Sequence, residues 1–403
     1  MPSPRVLAPI PPAVRSLIDA LATAGHEAYL VGGCVRDLLT GRSVNDFDLT
    51  TSADTASLLA LFPTAVPIGI RHGTVMIPTP IGPVDVTTFR AGPRIEDDLS
   101  HRDFTLNALA YDPRGDALID PHDGWADLSK HRLRAVRSAR DRFREDPLRA
   151  LRAARLVATH ELEPEPDIEP AMASARPALR GVARQRIGRE LASLMLGPGV
   201  GKALALLRRT GIQDDLAPGT APDADLVVPA LPAELTLRLA GWLRGARAGT
   251  ICRRLRLPRR VSTRVEQLVR DHPIEIPAEV PTGGAVRRLV KRVGQENVDA
   301  MIALRRSELA AGISAPGEDP AAARRRLGDL EVMLGRIRQT GFLALRRLDL
   351  AIDGADVMRH LGCAPGPRVG QALAYLTDQI VDDPSLNEPA ALRHLLDVWA
   401  REP

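Results

Sequence analysis

Apolar residues first recur at helical spacing near the start of the chain. Val14, Leu17, Ile18 and Leu21 share one face of a segment that begins after Pro11–Pro12 and stops at Gly25. Short β-type runs follow at Ala28–Val31, Gly73–Ile77 and Val84–Phe89, punctuated by Gly, Pro and Asp as at Pro80–Pro83 and Asp112–Gly115. From Asp146 onward the strand pattern is almost gone. Helical periodicity replaces it, through Leu148, Leu151, Ala154, Arg155 and Val157, then Ile187, Leu191, Leu194 and Met195, then Leu204 and Leu207. Breaks at Glu161–Pro170, Asp214–Pro232, Asp271–Gly284 and Gly312–Pro320 divide this part into helices of ordinary length. The pattern predicts an α/β head with one small mixed sheet, followed by a long all-α remainder.

Length and composition narrow this. At about 150 residues per domain, 403 residues make roughly two to four units. With 44% hydrophobic and 26% charged residues, the chain has the balance of a soluble globular protein. No apolar run approaches the ~18 residues of a membrane helix, and the MPSPRVLAPIPP start lacks the apolar stretch of a secretory signal. Cys34, Cys252 and Cys363 are scattered, which disfavours a disulfide framework or zinc finger and suits a cytoplasmic protein.

Of 54 basic residues only Lys130, Lys202 and Lys291 are not Arg, while aromatics are 3%. Broad recognition by base stacking is excluded; recognition of phosphate by forked guanidinium groups is not. A net charge of +4 does not itself establish a nucleic-acid partner, and a G+C-rich genome also produces Arg richness.

Candidate chemistry concentrates in Leu30–Thr51, LVGGCVRDLLTGRSVNDFDLTT. Gly32–Gly33 at a strand-to-helix turn is either a structural turn or a place where backbone N–H groups approach an anion, with Arg36 one turn further in. Asp46 and Asp48, at i and i+2 of an extended segment, share a face, with Phe47 turned to the core. Two adjacent carboxylates repel unless a cation lies between them. A lone pair of this kind is otherwise a solvated strand end. Asp85, on the later PVDVTTF strand, would make a third carboxylate and a set suited to metal-assisted phosphoryl transfer.

These residues resemble the signature of polymerase-β-type nucleotidyltransferases, and more narrowly class II tRNA nucleotidyltransferases (CCA-adding enzymes) and bacterial poly(A) polymerases. The resemblance continues in order through Val86–Arg90, His101–Ala108, Asp120–Leu128, Glu145–Arg149 and Arg186–Leu191, and reaches the tail at Asp353–Gly354 and Pro365–Gly370. It implies a nucleotidyltransferase head (1–140), a helical neck (141–211), a helical body (212–320) and a helical tail (321–403). The implied activity is Mg²⁺-dependent, template-independent transfer of CMP from CTP, and in complete CCA-adding members also of AMP from ATP, to the tRNA 3′ end.

The resemblance also implies roles. Asp46 and Asp48 would hold metal ions, with Asp85 completing the set. Gly32, Gly33 and Arg36 would hold the triphosphate, and Arg102 and Asp103 would contact the ribose in a motif that includes Asn107. His101 stands where the family usually has Arg. Asp146 and Arg149 would read the base: the carboxylate accepts from the exocyclic amine of cytosine or adenine, and Arg donates to a ring acceptor. Asp146 ahead of Pro147 is also a good helix cap. Arg152 and Arg155 belong to the densest basic run, nine Arg between Arg132 and Arg155, either a solvated helix face or in part a tRNA phosphate track. Cys34 reads as packing and His122–Asp123 as loop.

One departure is informative. Complete CCA-adding members carry a longer flexible loop after the VTTFR strand, whereas here only Ala91–Asp97 separates Arg90 from Asp98–Leu99. The shortened connection resembles the CC-adding subgroup, with complete CCA addition the next alternative. Pro67–His72, PIGIRH, lacks the basic motif of bacterial poly(A) polymerases. A poly(A) polymerase is thus a further alternative, and a non-catalytic RNA-binding protein on the same fold is another.

Overall fold

The computed structural model describes residues 9–44, 46–69, 73–274, 281–314 and 317–401. Residues 70–72 of the PIGIRH segment and 275–280 of the Asp271–Gly284 break lie outside them. The chain divides into two compact units, Met1–Pro218 and Gly219–Pro403.

The first unit opens with α1 (Pro12–Thr23). Pro12 occupies its first turn, where a missing N–H is harmless, and Val14, Leu17, Ile18 and Leu21 form its buried stripe. Seven strands then make one sheet: β1 (Ala28–Val31), β2 (Asp48–Thr51), β3 (Val66–Gly69), β4 (Thr74–Thr79), β5 (Gly82–Thr88), β6 (Ala110–Asp112) and β7 (Ala117–Ile119). Their spatial order is β3-β4-β5-β2-β1-β6-β7. All neighbours are antiparallel except β2 and β5, whose parallel pairing sets Asp48 opposite Asp85. The head is therefore the expected mixed sheet, although β6 and β7, three residues each, are too short to stand out as alternating runs, and β3 is obscured by its Pro67 and Gly69.

Side chains alternate across this sheet. Leu30, Phe47, Leu49, Val84 and Val86 point to a core shared with α1, α2 (Gly33–Leu39) and α3 (Thr55–Leu61). Each aliphatic side chain so buried contributes roughly 1.5–3 kcal/mol. On the other face Val31 packs with Ile95 and Leu99 of α4 (Ile95–Leu99) and with Ala108, Ala110 and Val136. Asp48 and Asp85 share that second face, because Val31 and Asp48 are the next step of the β1–β2 register.

After α5 (Gly124–Ser129) and α6 (Ala139–Glu145), the chain enters α7 (Leu148–His160), α8 (Ile168–Ala175), α9 (Arg184–Leu196), α10 (Val200–Arg209) and α11 (Ile212–Leu216). The apolar periodic residues named above are buried: Leu148, Leu151, Ala154 and Val157 in α7, Ile187, Leu191, Leu194 and Met195 in α9, Leu204 and Leu207 in α10; Arg155, read as part of the same stripe, is only half-buried and lines the cleft described below. One two-residue strand pairing, Arg132–Leu133 with Glu163–Pro164, interrupts this part.

Among its described residues the second unit has helices and no strand. One of its cores gathers Val357, Leu373, Leu376, Ile380, Leu392 and Leu396. Among the described residues no helix is long and apolar enough to cross a membrane.

Candidate active site

The site begins where β1 ends. Gly32 has φ 76°, a backbone state that suits glycine, and α2 starts at the next residue. A Cβ on Gly32 would stand 3.0 Å from Arg102 Nη1. Gly32→Ala is therefore expected to cost about 1–3 kcal/mol and to push Arg102 aside. Chemical denaturation checks this, and an unchanged midpoint would count against the close approach.

A cleft of about 510 Å³ opens over this turn, lined mainly by charged groups: Arg36, Asp37, Asp46, Asp48, Arg90, Arg102, Asp103, Arg149, Arg152, Arg155 and Glu190, together with Gly32, Gly33 and Asn107. Asp46 and Asp48 thus enter one cavity. Asp85 lies opposite Asp48 on β5 but is half-buried and outside the cleft lining. Partial burial pushes the Asp48 carboxyl up to about 6; Arg102 opposes this, while Asp85 and Asp46 add to it. Asp85 is also raised, by burial and by Asp46. Among the described residues no three His, Cys, Asp or Glu side chains are grouped so as to hold a metal ion by themselves.

The basic groups are mostly committed. Arg36 donates to Asp37 through Nε (2.9 Å) and Nη2 (3.1 Å), and to Asn107 Oδ1 through Nη1 (2.7 Å). Arg102 donates to buried Asp98 through Nε and Nη2. Asp103, 5% exposed, accepts from Phe104 N–H, Asn107 Nδ2 and Arg152 Nη1 at 2.8–3.1 Å. Burial alone would raise its pKa; Arg152 and these hydrogen bonds hold it down to about 2. Arg152 and Arg155 both donate to Glu190 of α9, which ties α7 to its neighbour.

The expected base-reading pair is not brought together. Arg149 enters the cleft, where it donates to Glu145 Oε2, the Arg142 carbonyl and the His101 carbonyl. Asp146 is outside the cleft lining; it accepts from Leu148 N–H (3.1 Å) and from Arg186 Nη2 of α9 (2.9 Å). The first bond is the capping geometry that Asp-Pro allows, and the second draws the carboxylate toward α9. The His101 ring meets the Asp97 carbonyl at 2.9 Å, so its backbone, not its imidazole, meets Arg149.

The Arg132–Arg155 run is largely neutralised within the fold: Arg132 and Arg134 pair with Asp127, Arg142 and Arg149 with Glu145, and Arg144 with Asp141.

Three family models match the chain: a poly A polymerase head domain at residues 28–134, a probable RNA and SrmB-binding site of polymerase A at 161–223, and a putative tRNA nucleotidyltransferase domain 2 at 302–396. The CCA-adding enzyme of Geobacillus stearothermophilus is 31% identical over 406 residues, covering 92% of this chain and 93% of the relative. The CC-adding tRNA nucleotidyltransferase of Shouchella clausii is 30% identical, covering 93% and 94%. The chain belongs to the tRNA nucleotidyltransferase family. Among solved structures, the Bacillus stearothermophilus CCA-adding enzyme in complex with CTP superposes with a TM-score of 0.75 at 29% identity, over 97% of this chain and 98% of that one. The Thermotoga maritima CCA-adding enzyme complexed with tRNA shares the fold, with a TM-score of 0.71 at 22% identity over 97% and 96%.

In this nucleotidyltransferase several cleft residues escape sequence reasoning. Arg90 closes the VTTFR strand, Asp37 follows Arg36, and Glu190 lies in the neck motif, so each belongs to a recognisable motif that assigns it no role. Asp98, buried beneath Arg102 and the Arg90 backbone N–H, also lacked one. Cys34 is buried, donates to the Val31 carbonyl and has its thiol pushed up to about 11 by burial, which suits packing and not nucleophilic attack. His122 lies in a turn, its Nε2 3.3 Å from Ser100 Oγ.

Proposed function

We propose that this nucleotidyltransferase transfers CMP from CTP to the 3′ end of tRNA as a CC-adding enzyme, using Mg²⁺, in the cytoplasm that its unpaired cysteines suit. The observation that carries the reading is the connection after β5. It is short and ordered: Ala91 turns with φ 64°, Arg94 N–H donates to Asp97 Oδ2, and Arg90 N–H donates to Asp98 Oδ1 in the last turn of α4. A long flexible segment that would remodel the cleft for ATP has no place in it.

The donor set fits a cation. Asp46 and Asp48 repel within one cleft, and Mg²⁺ needs only one or two protein carboxylates when substrate phosphates supply further oxygens. These two residues would hold it, with Asp85 adding charge from β5; when bound it supplies positive charge to the triphosphate and the attacking hydroxyl. The Gly32–Gly33 turn and Arg36 would hold the triphosphate. Arg36 arrives there pre-oriented by Asp37 and Asn107. Arg102 would meet the ribose; Asp103 fixes Asn107 and Arg152 around it.

Arg149, which lines the cleft, would donate to the N3 or O2 edge of cytosine; Asp146, which lies outside the cleft lining, would accept from its amine only by turning away from Arg186 when the nucleotide enters. Uracil and guanine would set an oxygen acceptor against that carboxylate and be rejected. Arg152, Arg155 and Glu190 brace this wall.

The test is stepwise addition. With CTP, a tRNA transcript ending before CCA should gain two CMP residues. With ATP, a CC-ended transcript should react at least about 100-fold more slowly, equivalent to about 2.7 kcal/mol of barrier. Efficient ATP addition would instead establish complete CCA addition. Extension of generic RNA by ATP alone would indicate a poly(A) polymerase, and no incorporation at all would leave an RNA-binding protein.

A further inference from the structure

Arg90 differs from every other guanidinium in the cleft. Arg36 has Asp37, Arg102 has Asp98, Arg149 has Glu145, and Arg152 and Arg155 have Glu190, each within 3.4 Å. The acid paired with Arg90 is also Asp98, but at 3.9 Å, and that carboxylate is already engaged: Oδ2 by Arg102 and Oδ1 by the Arg90 backbone N–H. The Arg90 side chain is 44% exposed and lines the cleft. Partial burial and the nearby charges of Arg102 and Arg149 all disfavour its positive charge, with Asp98 and Asp103 opposing. A long cation held by its own backbone at the rim, and crowded by like charge, is an incomplete ion pair awaiting an anion.

The second substrate supplies one. In the reading above, the triphosphate already has the glycine turn and Arg36. Arg90 leaves the end of β5, the strand that carries Asp85 on the Asp48 face of the sheet. The RNA end must present its hydroxyl to that face, and the phosphodiester behind this hydroxyl carries a full negative charge. We propose that Arg90 binds the 3′-terminal phosphodiester of the RNA acceptor. This rests on the proposed nucleotidyl transfer to an RNA 3′ end and adds a residue that separates acceptor binding from nucleotide binding.

Arg90→Gln removes the guanidinium but keeps the backbone N–H that holds Asp98, so the connection and Arg102 stay in place. The expected result is a roughly tenfold higher KM for tRNA, an unchanged KM for CTP, and a salt dependence of tRNA binding shallower by about one in log–log slope. Arg90→Lys should recover part of the loss. The decisive comparison uses a tRNA whose last internucleotide linkage is a neutral methylphosphonate. The wild type should lose on it about what Arg90→Gln loses on normal tRNA, and the variant should lose little more. Additive losses, or a raised KM for CTP with tRNA KM unchanged, would overturn the assignment. Failure of the transfer reading itself would look different: the wild type would incorporate no CMP.

Discussion

Asp48→Asn is expected to remove nucleotide addition, lowering kcat/KM by about three orders of magnitude or more, equal to at least about 4 kcal/mol of transition-state stabilisation. The same substitution should make the metal-free protein more stable at neutral and alkaline pH. The sign follows from the raised pKa. A carboxyl at about 6 in the fold, against an ordinary 3.8, binds its proton more tightly folded than unfolded. Its contribution to stability is full below about pH 4 and is lost as pH rises through about 6. Asn carries no such charge, so in EDTA the variant should melt a degree or two above the wild type near pH 8, with no difference near pH 4. The gain is small because the carboxylate opens to water. Retained activity, or a variant less stable at every pH, would remove Asp48 from the proposed centre.

Arg152→Ala should produce the largest loss of stability, about 3 kcal/mol or more by chemical denaturation, because it leaves Asp103 ionised and buried without its charge partner. Asp103→Asn added to Arg152→Ala should recover part of that loss, since a neutral amide needs no counter-charge. A denaturation midpoint near that of the wild type for Arg152→Ala alone would mean that Asn107 and the Phe104 N–H suffice. Because Asp103 is held down to about 2, its contribution is present above about pH 4 and fades as pH falls toward 2.

Much of the site was legible because its signals are local. Gly32 needs its positive φ within one turn, and Asp46, Phe47 and Asp48 alternate by strand periodicity alone, Phe47 into the core and the acids into the cleft. The α1 stripe and the α9 stripe were readable for the same reason. What was hidden depends on competition between distant partners. The i, i+3 spacing of Asp146 and Arg149 suggests a pair, but Arg186, forty residues on, takes the carboxylate and Glu145 takes the guanidinium. The basic run from Arg132 to Arg155 looks open to solvent until Asp127 and Asp103 arrive from other elements, while Glu145 neutralises Arg142 and Arg149 from within the run. Arg90 is the converse case: its exception shows only after every other Arg in the cleft has found an acid.

If the Arg90–Asp98 connection sets the product as proposed, its brevity also bears on how such a product changes. Both ends are fixed by Asp98, one through the Arg90 backbone and one through its own helix. A longer insertion between them would leave those anchors intact and add only the entropy of closing a larger loop. That grows as the logarithm of length, so tripling the seven residues Ala91–Asp97 costs only about 1 kcal/mol. Gaining or losing such a segment is within the reach of a single insertion or deletion and leaves the core untouched. On the proposed reading, lineages could therefore cross between one-enzyme and two-enzyme completion of tRNA ends without passing through an unfolded intermediate.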